Sequence, residues 1–250
     1  MLSSSQVRDR AFVAKVVSVL GDERDLSLRT KLWAATQSEQ DGWLLDTLDL
    51  QCQVLEVMRR RRGVDHRDTI DVEYAAAKTL YRLRWWSKAL PLFDHVALVW
   101  QQRGPDDAGT LNAKAWAAVT LGKLDHFDRS IQILRGVVDD FRRLNGPDDQ
   151  LTIRTMSRLA AVLGDSGDLT AAIEIHRDVL DADTRLLGPD DPETLKALRD
   201  LAIALAGRGD AAEAKILATS LLARQTALRG LDAPDTRYAR SLIEQIDNLE

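Results

Sequence analysis

Apolar residues recur with the period of a helix through most of the chain. In residues 194–205 they fall every three to four positions, which places them on one side of a helix. A polar break at 207–209 separates this stripe from a second one in residues 211–222, and residues 152–172 repeat the arrangement. The pattern predicts pairs of amphipathic helices joined by tight turns. The first stripe consists of Leu195, Leu198, Leu201, Ala202 and Leu205.

A turn motif separates these helix pairs at a nearly constant spacing. The segment Gly188-Pro-Asp-Asp-Pro-Glu-Thr194 has aligned counterparts that begin at Gly63, Gly104, Gly146 and Gly230. Their glycines lie 41, 42, 42 and 42 residues apart, and Gly21 begins a weaker copy. A helix pair that recurs at a fixed period cannot bury its apolar faces alone, so neighbouring pairs must stack.

The residues of this motif suit the end of one helix and the start of the next. We expect Gly188 to adopt the left-handed conformation that closes a helix, and Pro189 to prevent its continuation. Asp191 is expected to cap the following helix, with Pro192 at its first position and Glu193 in its first turn.

The sequence therefore predicts an all-α fold, a solenoid of antiparallel helix pairs with about 12 helices. We expect one solenoid domain over residues 1–250. Its expected parts are an N-terminal helix at 6–20, helix-pair repeats one to five at 21–62, 63–103, 104–145, 146–187 and 188–229, and a capping helix within 230–250.

Composition agrees with this fold class. With 14 glycines and 6 prolines the chain has too few turn residues for a β-sandwich or barrel, and 45% hydrophobic residues at a net charge of −5 argue against disorder. A single cysteine, Cys52, excludes a disulfide scaffold, and we interpret it as a small core residue. No apolar run has the length of a membrane span, and residues 11–20 lack the features of a signal peptide. We expect a cytoplasmic protein.

Catalytic and metal-binding motifs are not found in the sequence. It contains no His-Glu-x-x-His, no phosphate-binding loop and no paired cysteines. Its four histidines have no ligand-like spacing, and we interpret His95 and His176 as helix-face residues. We therefore expect no enzyme activity, no metal and no cofactor. The run Arg59 to Arg62 suits a helix end, and a pI of about 5.5 argues against a nucleic-acid partner.

The repeat resembles the tetratricopeptide repeat in its 42-residue, kinesin-light-chain type, and the resemblance implies a right-handed superhelical solenoid. Residues 187–231 carry its pattern of Thr-Leu, spaced leucines, Gly, Glu-Ala and the closing turn, and the resemblance covers about residues 21–249. The first three repeats depart from the pattern. Where the family has an apolar residue four places after the turn threonine, they have Lys31, Glu73 and Lys114.

The resemblance implies a concave groove, lined by the first helices of the pairs, that binds an extended peptide or a partner helix. Its positions lie 2, 5, 9, 12 and 13 residues after each turn threonine, or after Ser27 in repeat one. They hold seven basic and three acidic residues, so we expect a basic groove and an acidic partner segment; the alternative is an ordinary solvated helix face. The implied ligand-binding residues are Arg29, Tyr74, Lys78, Tyr81, Arg82, Asn112, Lys123, Arg154, Lys196 and Arg199.

Two further surfaces could bind a partner. Trp43 and Trp85 share a turn position where later repeats have Asp168 and Asp210, so they form either a contact surface or a stacked structural pair. The helix at 6–20 carries more apolar surface than it needs to seal repeat one, which suggests a homodimer or a docked partner; simple burial within the fold is the alternative.

Two functions are compatible with these observations. The first is a non-catalytic adaptor that binds an extended, acidic protein segment in the groove. The second is a sensor like the bacterial peptide-responsive regulators, which resemble this architecture and change curvature or oligomeric state when a small ligand binds.

Overall fold

The structure, a computed structural model, describes residues 44–104 and 107–248. This part of the chain is entirely helical apart from its turns, which confirms the predicted fold class. About 12 helices are predicted; the two N-terminal ones, including that at 6–20 with its predicted homodimer contact, lie outside the described residues. The ten described helices are α1 (Leu44–Arg62), α2 (Arg67–Arg82), α3 (Trp86–Arg103), α4 (Ala108–Lys123), α5 (Phe127–Asn145), α6 (Gln150–Ser166), α7 (Leu169–Leu187), α8 (Pro192–Arg208), α9 (Ala211–Arg229) and α10 (Pro234–Asp247).

The chain divides into two compact units, residues 1–113 and 114–250, with the boundary inside α4. In the first unit α2 packs against α1 and α3. In the second unit the helices α5 to α10 pack in chain order, each against the next. None of the ten helices is both long enough and apolar enough to cross a bilayer.

The turn threonine holds each repeat boundary together. Each of the five turn threonines is buried, and its Oγ1 hydroxyl donates to the carbonyl oxygen of the glycine six residues earlier at 2.8–2.9 Å. This bond explains why the threonine recurs six residues after the glycine. The five threonines are Thr69, Thr110, Thr152, Thr194 and Thr236.

The backbone at the turn glycine differs from the left-handed helix end that we expected. Gly188 has φ 91° and ψ 163°, a positive φ combined with an extended ψ that is essentially restricted to glycine. The chain leaves the helix in an extended direction, which brings the Gly188 carbonyl to the Thr194 hydroxyl. The predicted cap is confirmed, since the Asp191 carboxylate accepts a hydrogen bond from the Glu193 backbone at 2.8 Å.

Left-handed residues occur instead inside the repeats, between the first and second helix. Gly167 and Gly209 have φ 94° and 96° there. Repeats two and three have Arg84 and Asp125 at this place, both with φ 63°. A side chain in this conformation is strained relative to glycine.

Glu73 shows how repeat two accommodates a charge where the family has an apolar residue. Its side chain is only 1% exposed. Its Oε2 accepts a hydrogen bond from Arg59 Nη2 at 3.1 Å, and its Oε1 lies 2.8 Å from His95 Nδ1. A partly buried ion pair and a histidine contact therefore link α2 to both of its neighbours.

Cys52 is exposed, so the prediction of a core cysteine is wrong. The apolar residues around it suggested burial, but Cys52 lies beside the buried stripe of α1 and not on it. That stripe consists of Thr47, Leu48, Gln51, Val54, Leu55 and Met58.

Candidate binding cleft between first helices

Most of the predicted ligand-binding residues lie on described first helices. Arg29 and Trp43 are outside the described residues. The other nine ligand-binding residues lie on α2, α4, α6 and α8, and none of them is buried. The same positions in α4 also include Ala115 and Val119, which are buried, so not every one of these positions is open to a ligand.

In repeat two the aromatic groove residue packs against the second helix. The Tyr74 ring centroid lies 6.0 Å from that of Phe93 and 5.2 Å from that of Trp100. Lys78 Nζ lies 5.4 Å from the Tyr74 ring centroid, so it covers the tyrosine. Tyr74 is therefore part of the packing between α2 and α3 as well as a candidate contact for a ligand.

The other predicted residues of the first unit differ in exposure. Arg82 is exposed and Tyr81 is half-buried at the end of α2. Asn112 Nδ2 donates to the Ala108 carbonyl at 2.9 Å, within its own helix. Trp85 is 41% exposed, and Lys88 Nζ lies 4.7 Å from its ring centroid. Trp85 is thus placed where a partner could contact it.

In the second unit most basic groove residues have acidic neighbours. Lys123 Nζ lies 2.5 Å from Asp165 Oδ2, and Lys196 Nζ lies 3.7 Å from Glu193 Oε2. Arg199 Nη2 donates to an acid next to it in sequence, Asp200, at 2.8 Å. Asp165 is one of the three acids in the sequence count, but Glu193 and Asp200 lie outside the counted positions, so the basic excess is smaller here than that count suggests.

Arg154 differs from these three residues. It is exposed on α6, and no hydrogen bond or ion pair of its guanidinium occurs within the described part of the chain. Its five N–H donors are therefore available to a ligand.

Arg154 lies at the edge of a cavity of about 40 Å³ between α6, α7 and α8. The two first helices, α6 and α8, supply most of the lining, and α7 supplies the rest. The lining residues from α6 are Gln150, Ile153, Arg154 and Ser157; those from α7 are Val179 and Asp183; those from α8 are Glu193, Lys196 and Ala197.

Asp183 is the buried acid of this cavity. Its side chain is 4% exposed and hydrogen-bonded to the side chain of Gln150, while its Oδ1 has no hydrogen-bond partner among the described residues. Burial raises the pKa of the Asp183 carboxyl above its usual value, and the nearby Glu193 adds to the effect. Our choice of groove positions on first helices missed it. The available signal was its alignment with Trp100 and Phe141, two packed aromatic residues.

His176 lies one heptad before Asp183 on α7. It is 4% exposed, and its Nδ1 has no partner in the described regions, so the expectation of a helix-face residue is wrong. Burial lowers the pKa of His176 below its usual value. The polarity of histidine suggested exposure, but its repeat position is the one that Phe93 and Leu134 fill in earlier repeats.

The equivalent cleft of repeat two is wider and has an aromatic lining. It encloses about 470 Å³, and Trp100 takes the place of Asp183 there, while Asp71 takes the place of Arg154. Within residues 44–104 and 107–248 no group of three or more histidine, cysteine, aspartate or glutamate side chains is arranged to hold a metal ion.

The sequence of the second unit matches a known family. Residues 151–227 match the tetratricopeptide repeat family model. They are tetratricopeptide repeats. This segment contains α6 without its first residue, all of α7 and α8 and most of α9, and therefore every residue that lines the cavity beside Arg154 except Gln150.

Solved tetratricopeptide repeat structures extend the likeness in fold beyond this segment. One is a structure of TPR-like repeats, nearly identical to one another, from the kinesin light chain of Podosopora anserina. It is 18% identical to this chain, the match covers 83% of this chain and 99% of that chain, and the TM-score is 0.65. BtubC (BKLC) from P. vanneervenii is 12% identical over 89% and 90% of the two chains, with a TM-score of 0.57. A Rap protein complexed with Competence and Sporulation Factor is 13% identical over 98% and 72%, with a TM-score of 0.56. No curated protein matches the sequence.

Proposed function

We propose that this chain is a non-catalytic interaction scaffold, an adaptor whose first helices bind an extended acidic segment of a partner protein. The observation that carries the proposal is Arg154, an exposed guanidinium with no described partner at the edge of a cleft between two first helices. Arginine binds carboxylates through two parallel hydrogen bonds, which makes it a strong site for an acidic side chain.

Neighbouring residues support an extended ligand. Lys196 is exposed on the next first helix and lines the same cleft, so a segment crossing from α6 to α8 passes both cations. Ser157 lines the same cleft and adds a hydroxyl that can donate or accept a hydrogen bond. Tetratricopeptide repeats generally serve as protein–protein interaction scaffolds, which is the basis for extending the argument from one cleft to the chain.

A charge reversal with a matched control tests the proposal. The probe is a pool of fluorescein-labelled peptides of about 12 residues, with Asp or Glu at roughly half of the positions, measured by fluorescence anisotropy. Arg154→Glu should weaken binding by about tenfold or more, since it replaces attraction by repulsion. Arg135→Glu is the control, because Arg135 is an exposed arginine on a second helix, α5, and the reversal changes the net charge equally.

Equal weakening by both variants would show that only net charge matters, and it would contradict a cleft-specific site. Raising the salt from about 0.05 M to about 0.5 M should weaken wild-type binding and reduce the difference between the variants. The peptides that bind the wild-type protein but do not bind the Arg154→Glu variant would identify the preferred segment.

A sensor is the second candidate function. It is favoured by the solved complex of a Rap protein with Competence and Sporulation Factor, which shares this fold. Small-angle scattering and sedimentation velocity with and without the bound peptide separate the two candidates. An adaptor keeps its radius of gyration and mass, whereas a sensor changes one of them on binding.

A further inference from the structure

The cavity between α6, α7 and α8 contains an acid that the protein itself satisfies only in part. An ionised carboxylate accepts several hydrogen bonds. Asp183 has one from the Gln150 side chain, and its Oδ1 has none within the described chain. A buried carboxylate that lacks a full set of donors is costly, and Asp183 lines the cavity, so the carboxylate favours a ligand that brings a donor.

The size of the cavity limits what that donor can be. Its volume is about 40 Å³, whereas one water molecule needs roughly 10–15 Å³ by the same kind of measure. The space accommodates a terminal methylene and an ammonium group. A planar guanidinium is broader and less suited to it, because an ammonium is a compact point charge with three donors.

The charges around the cavity favour a cation at its buried end. Glu193 and Asp191 add their negative charges to that of Asp183. Lys196 partly offsets them, but its ammonium lies against Glu193 and its side chain is exposed. Arg154 is likewise exposed, so the two cations stand toward solvent while the acid is buried.

We propose that this cavity binds the ammonium group of a lysine side chain in the partner segment, with the Asp183 carboxylate, which lines the cavity, as its acceptor. The inference rests on the proposed function and refines it: the bound segment is acidic but carries one lysine. Its acids contact Arg154 and Lys196 at the surface, while its lysine enters between α6 and α8. Net charge alone does not select such a segment, so the lysine would supply sequence specificity.

The first test uses a probe that requires no peptide. n-Butylammonium chloride, an analogue of the lysine side chain, is titrated into the full-length ¹³C-labelled protein, and the Asp183 carboxyl carbon is followed by NMR. Asp183→Asn assigns the signal. The control carboxylate is Asp181, which is exposed on the same helix. Sodium chloride at equal ionic strength and n-butanol control for salt and for the apolar stem.

The inference predicts a saturable shift of the Asp183 signal with n-butylammonium, and only a gradual salt effect at Asp181. A response at Asp183 that does not saturate, or that sodium chloride reproduces, would overturn it.

The second test connects the cavity to the bound segment. One acidic peptide selected as above is made with a central lysine and with norleucine, which has a similar stem but no charge. The wild-type protein should bind the lysine peptide about tenfold more tightly, the scale of a charge-assisted hydrogen bond. Asp183→Asn should abolish this preference. Gln225→Ala should keep it, because Gln225 holds the equivalent place on α9 and also has a buried, unpartnered oxygen.

The possible outcomes separate this inference from the proposed function. Equal affinity of the wild-type protein for the two peptides overturns the lysine site, and it leaves the acidic-segment proposal standing if Arg154→Glu still weakens both. If neither peptide binds but n-butylammonium still saturates at Asp183, the cation site is supported and the proposed function fails.

Discussion

The second helices of repeats two and four, α3 and α7, carry different side chains at two equivalent places along the helix. On α3 these places are filled by Phe93 and Trp100, which pack against Tyr74. On α7 they are filled by His176 and Asp183, each 4% exposed and each with an atom that lacks a hydrogen-bond partner in the described regions.

The difference indicates that these two helices contribute unequally to stability. The aromatic face of α3 gains free energy by removing apolar surface from water. On α7, burial removes water from the His176 and Asp183 side chains, and protein hydrogen bonds replace that water only in part. Asp183 also lines an open cavity. Apolar residues usually fill buried positions, so a buried polar residue without an evident structural benefit marks a position where a function is expected.

Transferring the polar pair to α3 is the most severe test of this comparison. Phe93→His combined with Trp100→Asp should destabilise the protein by about 3–5 kcal/mol, because it removes two large packed rings and introduces buried polar groups. Urea unfolding followed by far-UV circular dichroism measures the loss. Leu98→His is the control, since Leu98 is exposed on the same helix and should cost little. A double variant as stable as wild type would show that the α3 face tolerates polar side chains. The difference between α3 and α7 would then not affect the free energy of unfolding.

The reverse change on α7 should have a smaller effect of opposite sign. His176→Leu should stabilise the protein by about 1–2 kcal/mol near neutral pH, because leucine fills the equivalent, fully buried position at Leu134. The gain should increase as the pH falls. Since burial lowers the pKa of His176, the unfolded chain takes up its proton at a higher pH than the folded chain.

The wild-type stability associated with His176 is therefore complete above the pKa of the unfolded chain and is lost as the pH falls through the folded value. Asp200 opposes the shift and Lys196 reinforces it. Denaturation curves of wild type and variant between about pH 5 and pH 8 should diverge on the acidic side. His126→Leu provides the control at an exposed histidine. Parallel curves for wild type and His176→Leu would mean that burial of His176 has no consequence for stability.

The sequence predicts the elements that depend on local rules, and it misses the contacts that depend on packing. Helix pairs follow from apolar spacing, and the Asp191 cap follows from residue type and position. Lys123 pairs with Asp165, which lies 42 residues later on another helix. Rules that consider one helix at a time do not predict such a pair. The alignment places Asp183 at a repeat position that packed aromatic residues fill in earlier repeats. Only the packing in the structure shows that a charged side chain at that position is buried.

The smallest predicted effect concerns the turn inside each repeat, where repeats two and three have Arg84 and Asp125 in place of Gly167 and Gly209. Asp125→Gly should stabilise the protein by about 0.5–1 kcal/mol, because relief of a left-handed side chain exceeds the added entropy of the unfolded chain. Arg84→Gly should gain less, since the Arg84 guanidinium also lies 5.2 Å from the Trp86 ring centroid. Gly167→Asp should cost about as much as Asp125→Gly gains, and thermal unfolding of the three variants measures these differences. A loss of stability in Asp125→Gly would mean that the carboxylate makes a turn contact worth more than the strain, and the two kinds of turn would then be equivalent.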